Sequence, residues 1–101
     1  LSNYTFSGNA NDATGNNHGT LQASPTTTAD RFDNAGKAYS FNGTTQYIST
    51  AVSYVNPTNF STSVWFKTAS ITGGYLMGFG NTSTGSCNSN FIFYSRYGII
   101  C

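Results

Sequence analysis

Apolar and polar residues alternate along much of this chain with a period of two, which is the period of a β-strand whose side chains point to opposite faces. The clearest run is Phe60–Thr68, in which residues at even positions share one face and residues at odd positions, including Trp65, share the other. No segment repeats its apolar residues every three or four positions, as an amphipathic helix does. The pattern therefore predicts an all-β chain.

Shorter runs rich in aromatic and β-branched residues predict further strands. They are Asn3–Phe6, Ala38–Phe41, Gln46–Thr50, Tyr75–Phe79, Phe91–Tyr94 and Gly98–Ile100. Turn-forming residues border the runs, and short strands at such spacing are typical of an antiparallel sandwich or barrel. Because Asn and Gly both tolerate positive φ, Asn42-Gly43 predicts a tight hairpin between the strand that ends at Phe41 and the strand that begins at Gln46.

The composition agrees with a folded β domain. The chain has 101 residues, of which 38% are hydrophobic and 16% aromatic, so it has enough apolar surface for one core. Charged residues make up 7%, against about 25% in an average protein, and Asn, Ser and Thr supply the polarity instead. This composition disfavours long surface helices, which depend on Glu and Lys.

Charge and hydropathy exclude two kinds of partner. The cations Arg31, Lys37, Lys67 and Arg96 are scattered along the chain, and the net charge is +1. Nucleic-acid binding needs clustered cations that neutralise phosphates, so we expect no nucleic-acid partner. No apolar run approaches the roughly 20 residues of a membrane-spanning helix, so we expect no membrane span.

Cys87 and Cys101 are the two cysteines, with thirteen residues between them. In an exported protein they could form a disulfide. The alternative is two unpaired thiols. With a single histidine in the chain, they do not complete a zinc site without a further ligand.

The order of several segments resembles the opening of laminin-G-like (concanavalin A-like) jelly-roll domains of bacterial surface and secreted proteins. The matching segments are Tyr4–Asp12, Gly15–Thr20, Asp30–Phe32, Gly36–Gly43 and Gln46–Ile48, followed by Phe60–Lys67, which is similar to the Trp-containing central strand of that family. The resemblance implies an antiparallel β-sandwich of jelly-roll type. It also implies a secreted or cell-surface protein with neighbouring domains in a longer chain.

The end of the chain departs from this resemblance. Domains of the family are longer, and their closing strand with its acidic residues has no counterpart here. Ser86–Cys101 matches the family poorly. We therefore expect residues 1–101 to be one jelly-roll domain that is incomplete at the C-terminus, with a divergent complete domain as the alternative. An incomplete sandwich would leave strand edges and an apolar face uncovered.

The titratable residues argue against catalysis. The carboxylates are Asp12, Asp30 and Asp33, and the chain has no Glu. Asp30 and Asp33 flank Arg31 in a turn-like segment, where we expect turn capping and charge pairing rather than the paired carboxyl groups of a glycosidase. His18 lies at the end of an Asn-rich loop, and we expect an exposed polar residue. We therefore predict no catalytic residues and no enzyme.

The same loop is a candidate calcium site. Calcium takes six to eight oxygen ligands from carboxylates, amide carbonyls and backbone, which Asp12, Asn9, Asn11 and Asn16 could offer. Calcium near this loop is also what the resemblance implies. The alternative is a set of Asx-turns that hold no ion.

Sugar binding would need exposed aromatic rings beside amides and hydroxyls. Tyr54 and Tyr75 are the candidates because they lie near turns, whereas Trp65 is assigned to the core. The sequence thus predicts a non-catalytic extracellular binding or adhesion module whose partner is a glycan or a surface protein, with calcium-assisted carbohydrate binding as one form. The alternatives are a structural spacer and a fragment of a concanavalin-like glycoside hydrolase.

Overall fold

A computed structural model of the chain describes residues 1–52, 59–69, 71, 74–78 and 91–94. The chain divides into two compact units, Leu1–Val52 and Ser53–Cys101. The strands are β1 (Gly19–Gln22), β2 (Thr26–Thr28), β3 (Ala38–Ser40) and β4 (Tyr47–Thr50) in the first unit, and β5 (Gly74–Gly78) and β6 (Phe91–Tyr94) in the second.

The prediction of an all-β chain is confirmed for the described residues, which contain antiparallel strands and no helix. Accordingly, none of them belongs to a helix with the length and hydropathy needed to cross a membrane. The strands form three antiparallel pairs, and the finer prediction of a jelly-roll sandwich stays a prediction.

The first unit contains two of these pairs. β1 pairs with β4, with Leu21 opposite Ile48, and β2 pairs with β3, with Thr27 opposite Tyr39. Each pairing therefore joins a strand before residue 30 to a strand after residue 37. Neither pair is closed by a tight turn, so contacts between the strands, rather than a short loop, fix the register.

The predicted hairpin at Asn42-Gly43 is wrong, because β3 and β4 pair with other strands and not with each other. Gly43 does adopt positive φ (72°), as expected for a turn. The segment is held instead by the Asn42 side chain, whose Oδ1 accepts three backbone N–H groups of the next residues. Side-chain capping thus replaces the cross-strand hydrogen bonds of a hairpin.

Other predicted strands differ in outcome. Ala38–Phe41, Gln46–Thr50, Tyr75–Phe79 and Phe91–Tyr94 are confirmed within one residue at each end, except that Phe79 lies outside the described residues, as does all of Gly98–Ile100. Asn3–Phe6 is wrong as a strand, since it forms one bridge, Tyr4 with Asp12, and Phe6 has φ of 52°. β1 and β2 were not predicted, because neither shows clear alternation.

The prediction for Phe60–Thr68 is wrong as well. No strand is assigned between residues 59 and 69, and the side chain of Trp65 is 79% exposed, so it is not a core residue. Alternation shows that a segment is compatible with a strand, but a partner strand has to supply the hydrogen bonds. In the second unit the paired strands are β5 and β6, with an irregularity in the register between Tyr75 and Met77.

The centre of the first unit is small and polar. Among the described residues of the chain, those buried are Ala10, Asp12, Asn17 and Pro25. The aromatic side chains of this unit are half-buried or exposed, and no buried side-chain nitrogen or oxygen in the described part of the chain lacks a hydrogen-bond partner. Hydrogen bonds around Asp12 therefore organise this unit more than apolar packing does.

Candidate functional site

Two neighbouring features of the first unit are candidates for function, a buried aspartate in the loop before β1 and a row of aromatic rings. The loop folds back on the N-terminal segment, where Tyr4 bridges Asp12 and the N–H of Ala13 donates to the carbonyl of Asn3 at 2.7 Å. A turn follows, in which the N–H of Gly15 donates to the carbonyl of Asp12 and Gly15 has φ of 81°. Glycine suits that conformation because it has no Cβ.

Both oxygens of the Asp12 carboxylate accept hydrogen bonds from the protein. Oδ1 accepts the backbone N–H groups of Asn3 (2.8 Å) and Thr14 (3.0 Å). Oδ2 accepts the Thr14 hydroxyl (2.8 Å) and the N–H of Asn17 (3.2 Å). A carboxylate offers about four lone-pair positions, so these four donors fill them. This arrangement explains why a charged side chain is 2% exposed.

The hydrogen bonds also fix the protonation state of Asp12. Burial raises the pKa of this carboxyl, but the hydrogen bonds from Asn3 and Thr14 lower it by more, so the pKa lies well below the usual range of aspartate. Asp12 is therefore ionised at every pH near neutrality. A group in this state accepts hydrogen bonds or binds cations, and it does not donate a proton.

Of the other predicted calcium ligands, Asn9, Asn11 and Asn16, the side chains of Asn9 and Asn16 form local hydrogen bonds, and Asn11 is an exposed residue whose backbone N–H is bonded. Oδ1 of Asn9 accepts the N–H of Asn11 at 2.9 Å, which is an Asx-turn, and the Asn16 amide donates to the Thr14 hydroxyl at 3.4 Å. Within the described residues, no three His, Cys, Asp or Glu side chains are grouped closely enough to hold a metal. As the loop stands, a cation at Asp12 would have to displace protein donors, and the calcium site stays a prediction.

Asn17 connects this loop to both ends of the unit. Its carbonyl accepts the Tyr4 hydroxyl at 2.6 Å, and its side-chain Oδ1 accepts the N–H of Val52 at 3.1 Å. His18 is exposed, as expected, and its Nδ1 accepts the N–H of Asp12 at 3.2 Å. Sequence reasoning missed Asn17, since one asparagine in an Asn-rich loop gives no signal that it is the buried one.

The aromatic row consists of Tyr4, Phe6, Tyr39 and Phe41. The rings of Tyr4 and Phe6 are stacked, with centroids 6.0 Å apart and planes at 18°. Phe6 then meets Tyr39 edge to face at 5.6 Å and 89°, and Tyr39 meets Phe41 at 6.4 Å and 43°. The first three side chains are half-buried and the fourth is 45% exposed.

The sequence indicates part of this row. Tyr4 and Phe6, like Tyr39 and Phe41, are two positions apart, which places each pair on one face of an extended segment. The sequence did not indicate that the two pairs meet, because the contact between Phe6 and Tyr39 depends on tertiary structure. Together the rings form a partly exposed apolar surface on a unit that is otherwise polar.

The acidic turn at Asp30 has a structural role, as predicted. Oδ1 of Asp30 accepts the N–H groups of Phe32 (2.8 Å) and Asn34 (3.0 Å), and Asp33 adopts φ of 62°. Desolvation raises the pKa of Asp30, but hydrogen bonds from Asn34 and Phe32 and the charge of Arg31 lower it by more. The pKa of Asp30 therefore lies below the usual range of aspartate. The guanidinium of Arg31 lies 4.6 Å from the centroid of Phe32.

The remaining predicted site residues, Tyr54 and Tyr75, fall in the second unit. Tyr54 lies outside the described residues, as do Cys87 and Cys101 with their possible disulfide. Tyr75 lies in the second unit, in β5 opposite Phe93. The aromatic row consists of residues other than these two tyrosines, and the sequence did not identify it as a candidate site.

Comparison with models of protein families, with curated proteins and with solved structures finds no match to this chain.

Proposed function

We propose that this chain is a non-catalytic binding module of an exported protein, and that it binds the apolar face of a neutral glycan through the aromatic row. The observation that carries the proposal is the contact of four aromatic side chains across two separate segments, with Phe41 45% exposed at one end. Aromatic rings bury large apolar areas against flat partners, and sugar rings have such a face.

The surroundings of the row suit a neutral, hydroxyl-rich ligand. Phe41 is followed by an exposed loop with the hydroxyls of Thr44 and Thr45 and the amide of Asn42. The net charge of +1 provides no strong field for an acidic polymer. The amide of Asn42 is bonded within the loop, so exposed hydroxyl groups beside the aromatic rings are what would supply the orienting hydrogen bonds that small polar ligands require.

The carboxylates support binding without catalysis. Hydrogen bonds hold Asp12 and Asp30 in turns and lower the pKa of each, so both are ionised and neither can act as a general acid near neutral pH. A glycosidase needs one protonated and one ionised carboxyl group on either side of the bond that is cleaved. We therefore propose no hydrolytic role.

The setting of the module follows from the sequence resemblance. We propose a jelly-roll β-sandwich on the cell surface or in the extracellular space, joined to other domains. The paired antiparallel strands are compatible with this architecture. A spacer that binds nothing is the alternative outcome of the experiment below.

A glycan array with the full chain tests the proposal, followed by titration of any sugar that binds. The test variant is Phe41→Ala, and the matched control is Tyr47→Ala, because Phe41 and Tyr47 are 45% and 44% exposed but Tyr47 makes no ring contact with the row. Affinity should fall about tenfold or more for Phe41→Ala and change little for Tyr47→Ala.

Three results separate the alternatives. An array without signal favours a spacer. Equal loss in both variants contradicts a site at the aromatic row. Repeating the titration with a chelator tests calcium, since loss of binding would indicate that a bound cation takes part. Unchanged binding would agree with an Asp12 carboxylate held by protein donors alone.

A further inference from the structure

The loop that follows β3 contains the single Asn-Gly pair of the chain, Asn42-Gly43. Oδ1 of Asn42 accepts the backbone N–H groups of Thr44 (3.0 Å), Thr45 (3.0 Å) and Gln46 (3.1 Å). Nδ2 of Asn42 donates to the hydroxyl oxygen of Thr45 at 2.8 Å. Both polar atoms of the amide are thus bonded within an exposed loop.

This environment suits attack on the side-chain amide by the next backbone nitrogen. In that reaction the N–H of Gly43 gives its proton to water or hydroxide, and its nitrogen bonds to Cγ of Asn42. Negative charge then develops on Oδ1, where three N–H donors already point, and preorganised donors at such an oxygen lower the barrier. Gly43 has no Cβ to obstruct the attack.

The leaving group is also placed next to a hydroxyl. In the structure the Thr45 hydroxyl accepts a hydrogen bond from Nδ2. Attack at Cγ gives Nδ2 a lone pair, so the hydroxyl can then turn and donate its proton to Nδ2 while water replaces that proton, and ammonia leaves as the bond between Cγ and Nδ2 breaks. A five-membered succinimide remains, and water opens it to aspartate or to isoaspartate. Overall, water is consumed and ammonia released, and no oxidant or cofactor takes part.

We propose that Asn42 is a site of spontaneous deamidation in the folded chain, and that the native loop accelerates the reaction. The product of normal linkage would place a carboxylate oxygen among the three N–H groups that now hold Oδ1. Charged acceptors form stronger hydrogen bonds, so the loop should persist after conversion to aspartate. The formal net charge of the chain would fall from +1 to zero.

Asn34 is the matched internal comparison. It also lies in an exposed turn, but Ala35 follows it, and its amide nitrogen donates to the Asp30 carboxylate at 3.2 and 3.3 Å. The Asp30 carboxylate accepts from Nδ2 of Asn34 and provides no donor to its Oδ1. The Cβ of Ala35 also hinders attack by the Ala35 nitrogen on Cγ of Asn34. Asn34 should therefore convert much more slowly than Asn42.

The experiment incubates the full chain at mildly basic pH, with and without urea, and follows each asparagine by peptide mass spectrometry with separation of the isoaspartyl form. Asn42 should convert first, roughly fivefold faster in the folded chain than in urea, because one net hydrogen bond to the transition state is worth about that factor. Conversion of Asn34 before Asn42 would overturn the proposal. So would a slower rate in the folded chain, since the three hydrogen bonds would then hold the amide away from the Gly43 nitrogen.

Two substitutions at one position test the part played by the hydroxyl. Thr45→Val removes it and should slow conversion of Asn42 severalfold, whereas Thr45→Ser should convert like the parent. Circular dichroism shows whether both variants keep the parent fold. If Thr45→Val misfolds, the rate of Asn42 conversion is compared between the folded chain and the chain in urea, for the parent and for Thr45→Ser. Acceleration by folding in both supports the proposal, and its absence in both refutes it.

Discussion

Gly19, at the start of β1, has almost no room for a side chain. A Cβ at this position would lie 2.6 Å from Cγ2 of Ile48, 2.9 Å from the carbonyl oxygen of Ala10 and 3.2 Å from the Cβ of Ala10. The optimal separation of two carbon atoms is about 3.5–4.0 Å, so the substitution Gly19→Ala forces the methyl of Ile48 to move by about 1 Å. The carbonyl of Ala10 cannot retreat easily, because it accepts the N–H of Gly19 itself at 2.8 Å.

The expected cost of Gly19→Ala is about 1–3 kcal/mol, the usual range for overpacking a filled site. Alanine also restricts the unfolded chain more than glycine does, which by itself would stabilise an extended residue by about 0.5–1 kcal/mol. The steric term is larger, so the free energy of unfolding should fall. For a domain of this size, the Tm should drop by roughly 5–15 °C.

Thermal unfolding followed by circular dichroism measures this effect, with Thr20→Ala in the same strand as the control. Thr20 is exposed, and its substitution should change the free energy of unfolding by about 0.5 kcal/mol or less. Adding Ile48→Ala to Gly19→Ala separates the two contacts in a double-mutant cycle. The cost of Gly19→Ala should shrink in that background. An unchanged or higher Tm for Gly19→Ala alone would refute the packing described around Ala10.

Three further predictions concern the polar loops. Asp12→Asn should lower the Tm by roughly 10 °C or more, because it removes a charged acceptor of four hydrogen bonds. The control is Asp33→Asn, which lies in an exposed turn and should have little effect on the Tm. Folding lowers the pKa of Asp12, so its contribution is complete above the unfolded value of about 3.9 and is lost as the pH falls below that value. Acid titration should therefore cost the parent more stability than Asp12→Asn, in which only the lowered pKa of Asp30 still contributes. Gln46→Glu should lower the free energy of unfolding in urea by about 1–2 kcal/mol. The Gln46 amide donates to the carbonyls of Ala23 and Ser24 at 3.1 and 3.0 Å, and a carboxylate cannot donate. A stability equal to the parent's would contradict these two hydrogen bonds. Asn42→Asp should raise the free energy of unfolding by about 1 kcal/mol, since three N–H groups would then bond a charged oxygen, and a lower stability would contradict the geometry of that loop.

Several features of the aromatic row and the polar loops follow from sequence alone. Alternation places Tyr39 and Phe41 on one face, and β3 forms there. Gly43 adopts positive φ, as expected, although the hairpin predicted for Asn42-Gly43 does not form. These successes concern neighbours in the chain, where the backbone preferences of a few residues decide the local conformation.

The use made of each polar group did not follow from sequence. Asp12 was a candidate cation ligand because carboxylates and amides cluster around it in the chain. The structure shows that backbone N–H groups and a hydroxyl reach it first, from Asn3 on one side and Asn17 on the other. Composition shows which groups can bond, but the path of the backbone decides which of them meet.

The sequence by itself determined the all-β class of the described residues, the positive φ at Gly43 and the shared face of Tyr39 and Phe41, because these depend on backbone preferences and on the two-residue period of an extended chain. Tertiary structure alone decided that β1 pairs with β4 and β2 with β3, that Phe6 meets Tyr39, and that Phe60–Thr68 forms no strand in the described part of the chain. A strand needs hydrogen bonds from a partner strand elsewhere in the chain. No local pattern specifies which partner that is.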